Sequence, residues 1–489
     1  MDGRHLVNGG ELKINKMVDF QSLRQVVEAR PNGQEKYPEL TIGGVSTDTR
    51  TIRRGDCFFA IVGPNFDGHQ FILQALEKGA VCAVTQNQVA LPSEFAGRVI
   101  WVKDTVAALG QLAVWYRKQL AARVVAITGS AGKTTTRHII HHVLSKRINC
   151  HQAVKSFNNH IGVPLTILSA QPQHQALLLE LGTNHPGEIA ALAQIALPDI
   201  ALVTCVAPAH LEGFGTIKNI IREKLSICGG LVEGGPFIIN GDQPEVVEYA
   251  KTLNRPFITF GISPSCDVRT DQLQSSGWDG QLTIENQTIV VPLPGRANLM
   301  NALAAWAVCR LFGVTVSEFA EAVSTLQPVE MRMNIETAGP IKIINDCYNA
   351  NPASMNNALE CLADLSHKEH RRCVFVSGCM AELGPASSRL HQELGQKAAL
   401  VGIDTVIAAG QFASDIISGS VKAGLDAGVC RAFNDTQMLC DNLHNFVHPD
   451  DIILVKGSRS AGMEKAVERL RTLFTGAKEP GSALCENKK

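Results

Sequence analysis

The chain has 489 residues, 45% of them hydrophobic and 19% charged; at about 100–200 residues per domain this points to roughly three domains, each with apolar material for its own core. A formal charge of −1, from 45 Lys plus Arg against 46 Asp plus Glu, excludes a global cationic field for nucleic acid or anionic lipid, so any anion site must be local. The 14 cysteines run from Cys57 to Cys485 with no C-x-x-C pair and no zinc-ligand spacing, which predicts reduced, mostly buried thiols in a cytoplasmic protein.

The N-terminal segment MDGRHLVNGGELKINK lacks the apolar stretch of a secretory signal and is expected to be a frayed leader. The run CFFAIVG from Cys57 reads as a strand before a helical pattern at 69–78. VCAVT and RVIWV follow as strands, then a helix over 105–120, which together make a compact α/β domain. RVVAIT from Arg123 opens a second series, continued by ALLLELG, DIALVTCV and PFIIN; continuous β-branched runs separated by helices predict a doubly wound parallel sheet. Its most apolar window, 190–211, is broken by Pro198 and Asp199 and so is helix, turn and strand rather than a membrane span. A hairpin-like segment, GQLTIENQTIVVPLPG, precedes an apolar helix expected over 301–312. After Leu326-Gln327-Pro328 four further strands, IKIIND, CVFVSG, DTVIAAG and DIILVKG, predict a Rossmann-like unit. The tail beyond Thr475 is expected to be flexible.

The strongest local signal is Thr128-Gly129-Ser130-Ala131-Gly132-Lys133-Thr134-Thr135 between a strand and a helix. Strand, glycine loop and helix N-terminus aim backbone N–H groups and the positive end of a helix dipole at one point, which cradles phosphate. Lys133 can bridge the outer phosphates and the Thr134 hydroxyl can ligate Mg²⁺. The spacing G-x-x-G-K-T is two residues shorter than the general nucleotide-binding motif, so a generic match fails. Glu180 ends the strand ALLLELG, where an acidic metal partner would hang from the sheet's C-terminal edge, although a strand-end Glu is ordinarily a solvated edge residue. His210 follows the next strand, in Ala209-His210-Leu211-Glu212-Gly213-Phe214-Gly215. Two consecutive strands thus deliver Glu180 and His210 to the edge that holds the phosphate loop.

TGSAGKTTT, SFNNHIGVPLT from Ser156, LELG, AHLEGFG and PGRANLMNALAAWA from Pro294, in this order, resemble the ATP-dependent Mur ligases of peptidoglycan synthesis and their folylpolyglutamate synthase relatives. The resemblance spans 46–464. Within the family the segment Asp346-Cys347-Tyr348-Asn349-Ala350-Asn351-Pro352-Ala353-Ser354-Met355 is similar to the form used by the members that add D-alanyl-D-alanine. So are Ser46-Thr47-Asp48-Thr49-Arg50, Gly55-Asp56-Cys57-Phe58-Phe59-Ala60 and Leu454-Val455-Lys456-Gly457-Ser458-Arg459-Ser460.

The resemblance implies an α/β enzyme of three domains: a small α/β UDP-substrate domain at 17–120, a central P-loop, doubly wound ATPase domain at 121–328, a C-terminal Rossmann-like domain at 329–476, and a flexible tail at 477–489. Its substrates would be ATP, UDP-N-acetylmuramoyl-tripeptide and D-alanyl-D-alanine, with Mg²⁺ and no nucleic-acid or membrane partner, in a cytoplasmic monomer. By motif, Gly129, Ser130, Ala131, Gly132, Lys133, Thr134 and Thr135 bind ATP, together with Asn301, Arg332 and Asp346. Thr134, Glu180 and His210 are metal ligands. Lys224, otherwise an ordinary solvated lysine of an amphipathic helix at 216–228, occupies the position that is carbamylated in this family and would be a further metal ligand. Ser46, Asp48, Arg50, Asn158, Asn159, Asn349 and Asn351 are on the substrate side. Three positions depart from the pattern: Ala297 stands where the family usually has His, Met331 where it has Gly, and Cys379 where it has an acidic residue. The reaction implied is formation of an acyl phosphate on the tripeptide carboxylate, followed by attack of the dipeptide amine. The nearest alternative is another Mur ligase or a folylpolyglutamate synthase, against which the segment from Tyr348 to Met355 argues; a non-ligating P-loop protein would explain the phosphate loop but not the other motifs beside it.

Overall fold

Helices on both faces of a parallel sheet leave its strands no solvated side, and the apolar runs behave accordingly: Ala176–Glu180, Ile200–Val203, Phe237–Asn240, Cys373–Gly378, Thr405–Ala409 and Ile452–Lys456 are buried along their whole length. This computed structural model describes residues 13–31, 39–63, 66–154 and 156–476. The expected flexible tail at 477–489 and the first twelve residues of the expected leader lie outside the described residues. The end of that leader is not frayed: Lys13–Asp19 is a strand, antiparallel to Thr41–Ser46. A polar segment can complete a sheet edge because the ladder is made by backbone groups.

Three sheets carry the fold. The first runs in the order Lys13–Asp19, Thr41–Ser46, Asp56–Phe59, Cys82–Thr85, Val99–Trp101. The second is parallel throughout, in the order Val268–Arg269, Ile258–Gly261, Phe237–Asn240, Ile200–Val203, Arg123–Thr128, Ala176–Glu180, Cys150–Gln152. The third has Asn334–Ala338 as an antiparallel edge, then Ile341–Asp346, Ile452–Lys456, Cys373–Gly378, Thr405–Ala409 and Cys430–Phe433 in parallel. The expected hairpin is present as Gly280–Ile284 and Gln287–Val291. Its two-residue turn puts Glu285 and Asn286 at φ +49° and +64°, the primed turn that matches strand twist. The helix expected over 301–312 begins earlier, at Arg296–Cys309, because Gly295 at φ +82° breaks the chain there and Asn298 Nδ2 donates to Pro294 O at 2.8 Å.

In the central sheet, Arg123–Thr128 lies between strands that follow it in sequence on opposite sides. Its C-terminal end is therefore a topological switch point, where a crevice opens at the sheet edge. The first and second sheets share one continuous core that runs from Val18 and Leu23 through Leu109 and Leu112 to Leu177 and Leu192. Helix Thr105–Arg117 makes this seam. Tyr116 Oη donates to Ala170 O at 2.7 Å, and Arg117 Nη2 pairs with Asp199 Oδ2 at 2.7 Å. The third sheet has cores of its own on its two faces. The described cysteines are free thiols, most of them buried. Among the described residues no helix is long and apolar enough to cross a membrane.

Candidate active site

The phosphate loop leaves strand Arg123–Thr128 and enters helix Lys133–Leu144. Gly129 and Gly132 have φ +149° and +83°, and a Cβ on either would collide with Thr204 or Asn301 respectively, so both positions demand glycine. The loop is tied down from the neighbouring strand: Ser130 N donates to Cys205 O at 2.8 Å, Ser130 Oγ to Ala207 O at 2.9 Å, and Thr204 Oγ1 to Ala131 O at 2.6 Å. No side chain caps the helix start. Its first N–H groups are left for an anion.

One carboxylate organises the site. Glu180 is 1% exposed; its Oε2 accepts from Thr134 Oγ1 at 2.8 Å and its Oε1 from Asn158 Nδ2 at 3.0 Å, with Arg137 Nε 3.7 Å away. Burial alone would raise its pKa, but the charges of Lys133, Arg332 and Arg137 and the Thr134 hydrogen bond outweigh it and hold the carboxyl below its usual range. Lys133 Nζ donates to Gly129 O at 2.7 Å. Burial lowers its pKa, against the opposing pull of Glu180. Asn301 stands beside the loop, its Oδ1 accepting from Thr136 Oγ1 at 3.4 Å.

Lys224 is not the solvated lysine that its helix pattern alone would give. Helix Ile217–Leu225, capped by the Thr216 hydroxyl, turns it inward to 2% exposure. Its neighbour Glu223 is spent elsewhere, accepting from Gly187 N at 2.7 Å and Ile189 N at 2.8 Å, which fixes the loop after the Glu180 strand. Burial first, and then the charge of Lys133, push the Lys224 pKa well below the ordinary lysine value. His210 sits on the same sheet edge as Glu180, but its Nδ1 faces Glu382 of the third sheet's unit. Among the described residues no group of three His, Cys, Asp or Glu side chains is arranged to hold a metal ion.

The third unit reaches the loop through residues around Asp346. Asn351 caps helix Pro352–Glu369 through Oδ1, which accepts from Ser354 N at 2.9 Å, while its Nδ2 donates to Ser130 O at 3.1 Å. Asp346 accepts from Lys456 Nζ at 2.5 Å and Met333 N at 3.1 Å, and Asn349 O accepts from the same Lys456 at 2.9 Å. Arg332 lies with its guanidinium 4.1 Å from the Tyr348 ring centroid, and its charge is felt at Lys133, Arg137 and Glu180. It is flanked by Met331 and Met333 at φ +59° and +49°. Met331, a departure from the family's glycine, thus keeps the left-handed conformation that glycine favours. Cys379 accepts from Phe412 N at 3.3 Å. Ala297 is half-buried.

The remaining substrate-side candidates lie apart from this cluster. Arg50 Nη2 pairs with Asp48 Oδ2 at 2.6 Å, and Ser46 Oγ donates to Asp48 O at 3.0 Å, forming a self-contained turn at the end of strand Thr41–Ser46. Asn159 Oδ1 accepts from Gly162 N at 2.9 Å at the start of helix Gly162–Ser169. Sequence reasoning missed Arg137, Lys456, Glu223 and Glu382. Arg137 lies one turn beyond the loop lysine, Lys456 within a quoted motif and Glu382 three residues after Cys379 in the same family motif, so local signals existed for these; nothing local marks Glu223.

The sequence matches the Mur ligase family catalytic domain over residues 41–117, the Mur ligase middle domain over 127–309 and the Mur ligase glutamate ligase domain over 331–459. The UDP-N-acetylmuramoyl-tripeptide–D-alanyl-D-alanine ligase of Escherichia coli is 35% identical over 450 residues, 90% of this chain and 96% of its own length. The crystal structure of MurF from Acinetobacter baumannii superposes with a TM-score of 0.84 at 30% identity, covering 93% of this chain and 99% of that one. MurF ligase from Thermotoga maritima in complex with ADP gives a TM-score of 0.78 at 27% identity over 88% and 98%. The chain belongs to the Mur ligase family, and within it stands with the UDP-N-acetylmuramoyl-tripeptide–D-alanyl-D-alanine ligases.

Proposed function

We propose that this protein is the ATP-dependent ligase that joins D-alanyl-D-alanine to UDP-N-acetylmuramoyl-tripeptide, giving the pentapeptide precursor of peptidoglycan. One observation carries the reading: the cations Lys133, Arg137, Arg332 and Lys224 gather around the buried carboxylate Glu180 at an uncapped helix start, while the buried Glu223 and Asp346 are taken up by the Gly187 and Ile189 N–H groups and by Lys456. That excess of positive charge fits a polyanion, and relatives matched over most of both chains carry the dipeptide-adding activity in their names.

A carboxylate near neutral pH is a poor electrophile, so it must be activated. A carboxylate oxygen of the tripeptide attacks the γ-phosphorus of ATP, the bond to ADP breaks, and an acyl phosphate forms; Lys133 and Arg332 offset the converging negative charge. The dipeptide amine then attacks the acyl carbon, phosphate departs and the amine proton is lost to solvent. No side-chain nucleophile is needed, and catalysis rests on positioning and charge.

Thr134 Oγ1 and Glu180 Oε2, 2.8 Å apart, are hard oxygen donors of the kind Mg²⁺ takes. They would hold the ion, with His210 and carbamylated Lys224 as the further ligands of this reading. Bound Mg²⁺ supplies charge neutralisation at the phosphate oxygens. Carbamylation is supported by burial of Lys224 and the lowered pKa of its amine, since CO₂ adds to the neutral form with loss of a proton. Asn301 and Asp346 are assigned to the nucleotide, and Ser46, Asp48, Arg50, Asn158, Asn159, Asn349 and Asn351 to the substrate side.

The test is phosphate release with UDP-tripeptide and ATP, with and without D-alanyl-D-alanine, and with hydroxylamine as a trap. Amide product and a hydroxamate at the tripeptide carboxylate are expected. Pyrophosphate release would overturn the mechanism. For Lys224, intact mass should carry the added carboxyl, and Lys224→Ala should regain activity with short carboxylates; an unmodified lysine with an active alanine variant would remove the assignment.

A further inference from the structure

Glu382 lies on the loop after strand Cys373–Gly378, and the chemistry above gives it no part. It meets the central domain in three ways. Its Oε2 contacts His210 Nδ1. Its backbone carbonyl accepts from Glu212 N at 3.1 Å. Two residues on, Gly384 at φ +55° passes so close that a Cβ there would lie 3.2 Å from Glu212 Cα. Leu211, between the two contact residues, packs on the third domain's own core.

Both partners are held in an uncommon conformation. Glu382 has φ +60° and His210 has φ +54°, a left-handed backbone that residues with a Cβ keep only where the surroundings over-determine it. The surroundings on the third-domain side are firm: Ser458 N donates to Cys379 O at 3.1 Å, and Met380 N donates to His391 Nε2 at 2.9 Å. The other nitrogen of that fully buried ring donates to Ser387 O at 2.7 Å. Glu382 is therefore presented from a rigid base to a loop that begins at the end of the strand next to the phosphate loop.

We propose that Glu382 is a positioning residue that fixes the His210 ring and latches the third domain over the phosphate loop, so that the acyl phosphate forms only beneath a closed cover. This rests on the ligase reading. With the latch cut, water reaches the intermediate: its oxygen bonds to the acyl carbon, the bond to phosphate breaks, and carboxylate, inorganic phosphate and protons are released without an amide.

The experiment measures phosphate and amide product together in the full-length protein with UDP-tripeptide, ATP and D-alanyl-D-alanine. The unaltered protein should release about one phosphate per amide, whereas Glu382→Ala should release at least about fivefold more phosphate than amide, with KM for the UDP-tripeptide within about twofold. Glu382→Asp should recover most of the coupling. A folded Glu382→Ala protein with unchanged kcat and unchanged coupling overturns the proposal. Should that variant not fold, Glu382→Gln keeps the shape and removes the charge, and full coupling in it overturns the proposal equally. Unaltered protein that makes no amide sinks the ligase reading instead, and this inference with it.

Discussion

The two seams of the molecule are built differently. Between the first and central domains runs one apolar core, fastened by the buried Tyr116 hydroxyl and the Arg117–Asp199 pair. Between the central and third domains no such shared core runs among the described residues: polar links, Asn351 on Ser130, Glu382 on His210 and Glu212, and Lys368 Nζ on Ser276 O at 2.8 Å, stand beside smaller apolar contacts of Leu211 and Trp278 with the third domain's own core. A core cannot be opened without exposing apolar surface, at about 25 cal/mol per Å², whereas hydrogen bonds exchanged for water cost little net. The first domain is thus fixed to the central one, and under the function proposed above the third domain would be the part that moves in each turnover.

The largest test of this contrast removes the anion anchor and touches neither seam. Lys133→Ala should leave a folded protein whose ligation and hydroxamate formation are lost, a barrier increase on the order of 3–4 kcal/mol or more; near-normal turnover would remove the phosphate-loop assignment. Breaking the fixed seam comes next. Tyr116→Ala empties a buried aromatic site and should cost roughly 3–5 kcal/mol of stability in denaturant unfolding, and if the loss fell under about 1 kcal/mol the continuous core would not be what joins these domains.

Acid should loosen the central domain. Burial holds His141 and His151 down to about 4 from 6.5, so both are neutral in the folded state. Their contribution is complete above the unfolded value of 6.5 and is lost as pH falls toward 4, because the unfolded chain then binds more protons. Tm should fall over that window, and His141→Phe should flatten the fall. Asn351→Ala should cost about 1 kcal/mol in stability through the lost cap while raising phosphate release per amide, because it also undoes the movable seam. The smallest effect belongs to Arg50→Ala in the first domain: no measurable change in stability, since Arg50 of the pair with Asp48 is exposed and screened by water, with KM for the UDP-substrate raised and ATP binding untouched.

Much of this was legible in the sequence, for local reasons. A parallel strand buried on both faces must be apolar throughout, so the runs at Arg123, Ala176, Ile200 and Phe237 could be read directly, and the glycines of the phosphate loop announce a strand-to-helix turn. Two of the missed strands are of another kind. Cys150–Gln152 is half-buried, and Gln272–Ser275 alternates exposed and half-buried residues, so neither carries an apolar run. The site divides in the same way. Thr134 and Glu180 meet because adjacent parallel strands end side by side, which the element order predicts. The burial of Lys224 depends on which face of its helix packs inward. The pairing of His210 with Glu382 spans 172 residues and two domains, and no local pattern encodes it.

Asn351 spends one amide on two tasks, its oxygen on the start of its own helix and its nitrogen on the carbonyl of Ser130. Separation of the domains breaks only the second. The helix stays capped without that contact, so under the proposed cycle the third domain would swing away without unwinding, and no local melting would have to precede release of the products. Amide hydrogen exchange should register this as continued protection at Ser354 during turnover; loss of protection there would show that the helix melts when the domains part.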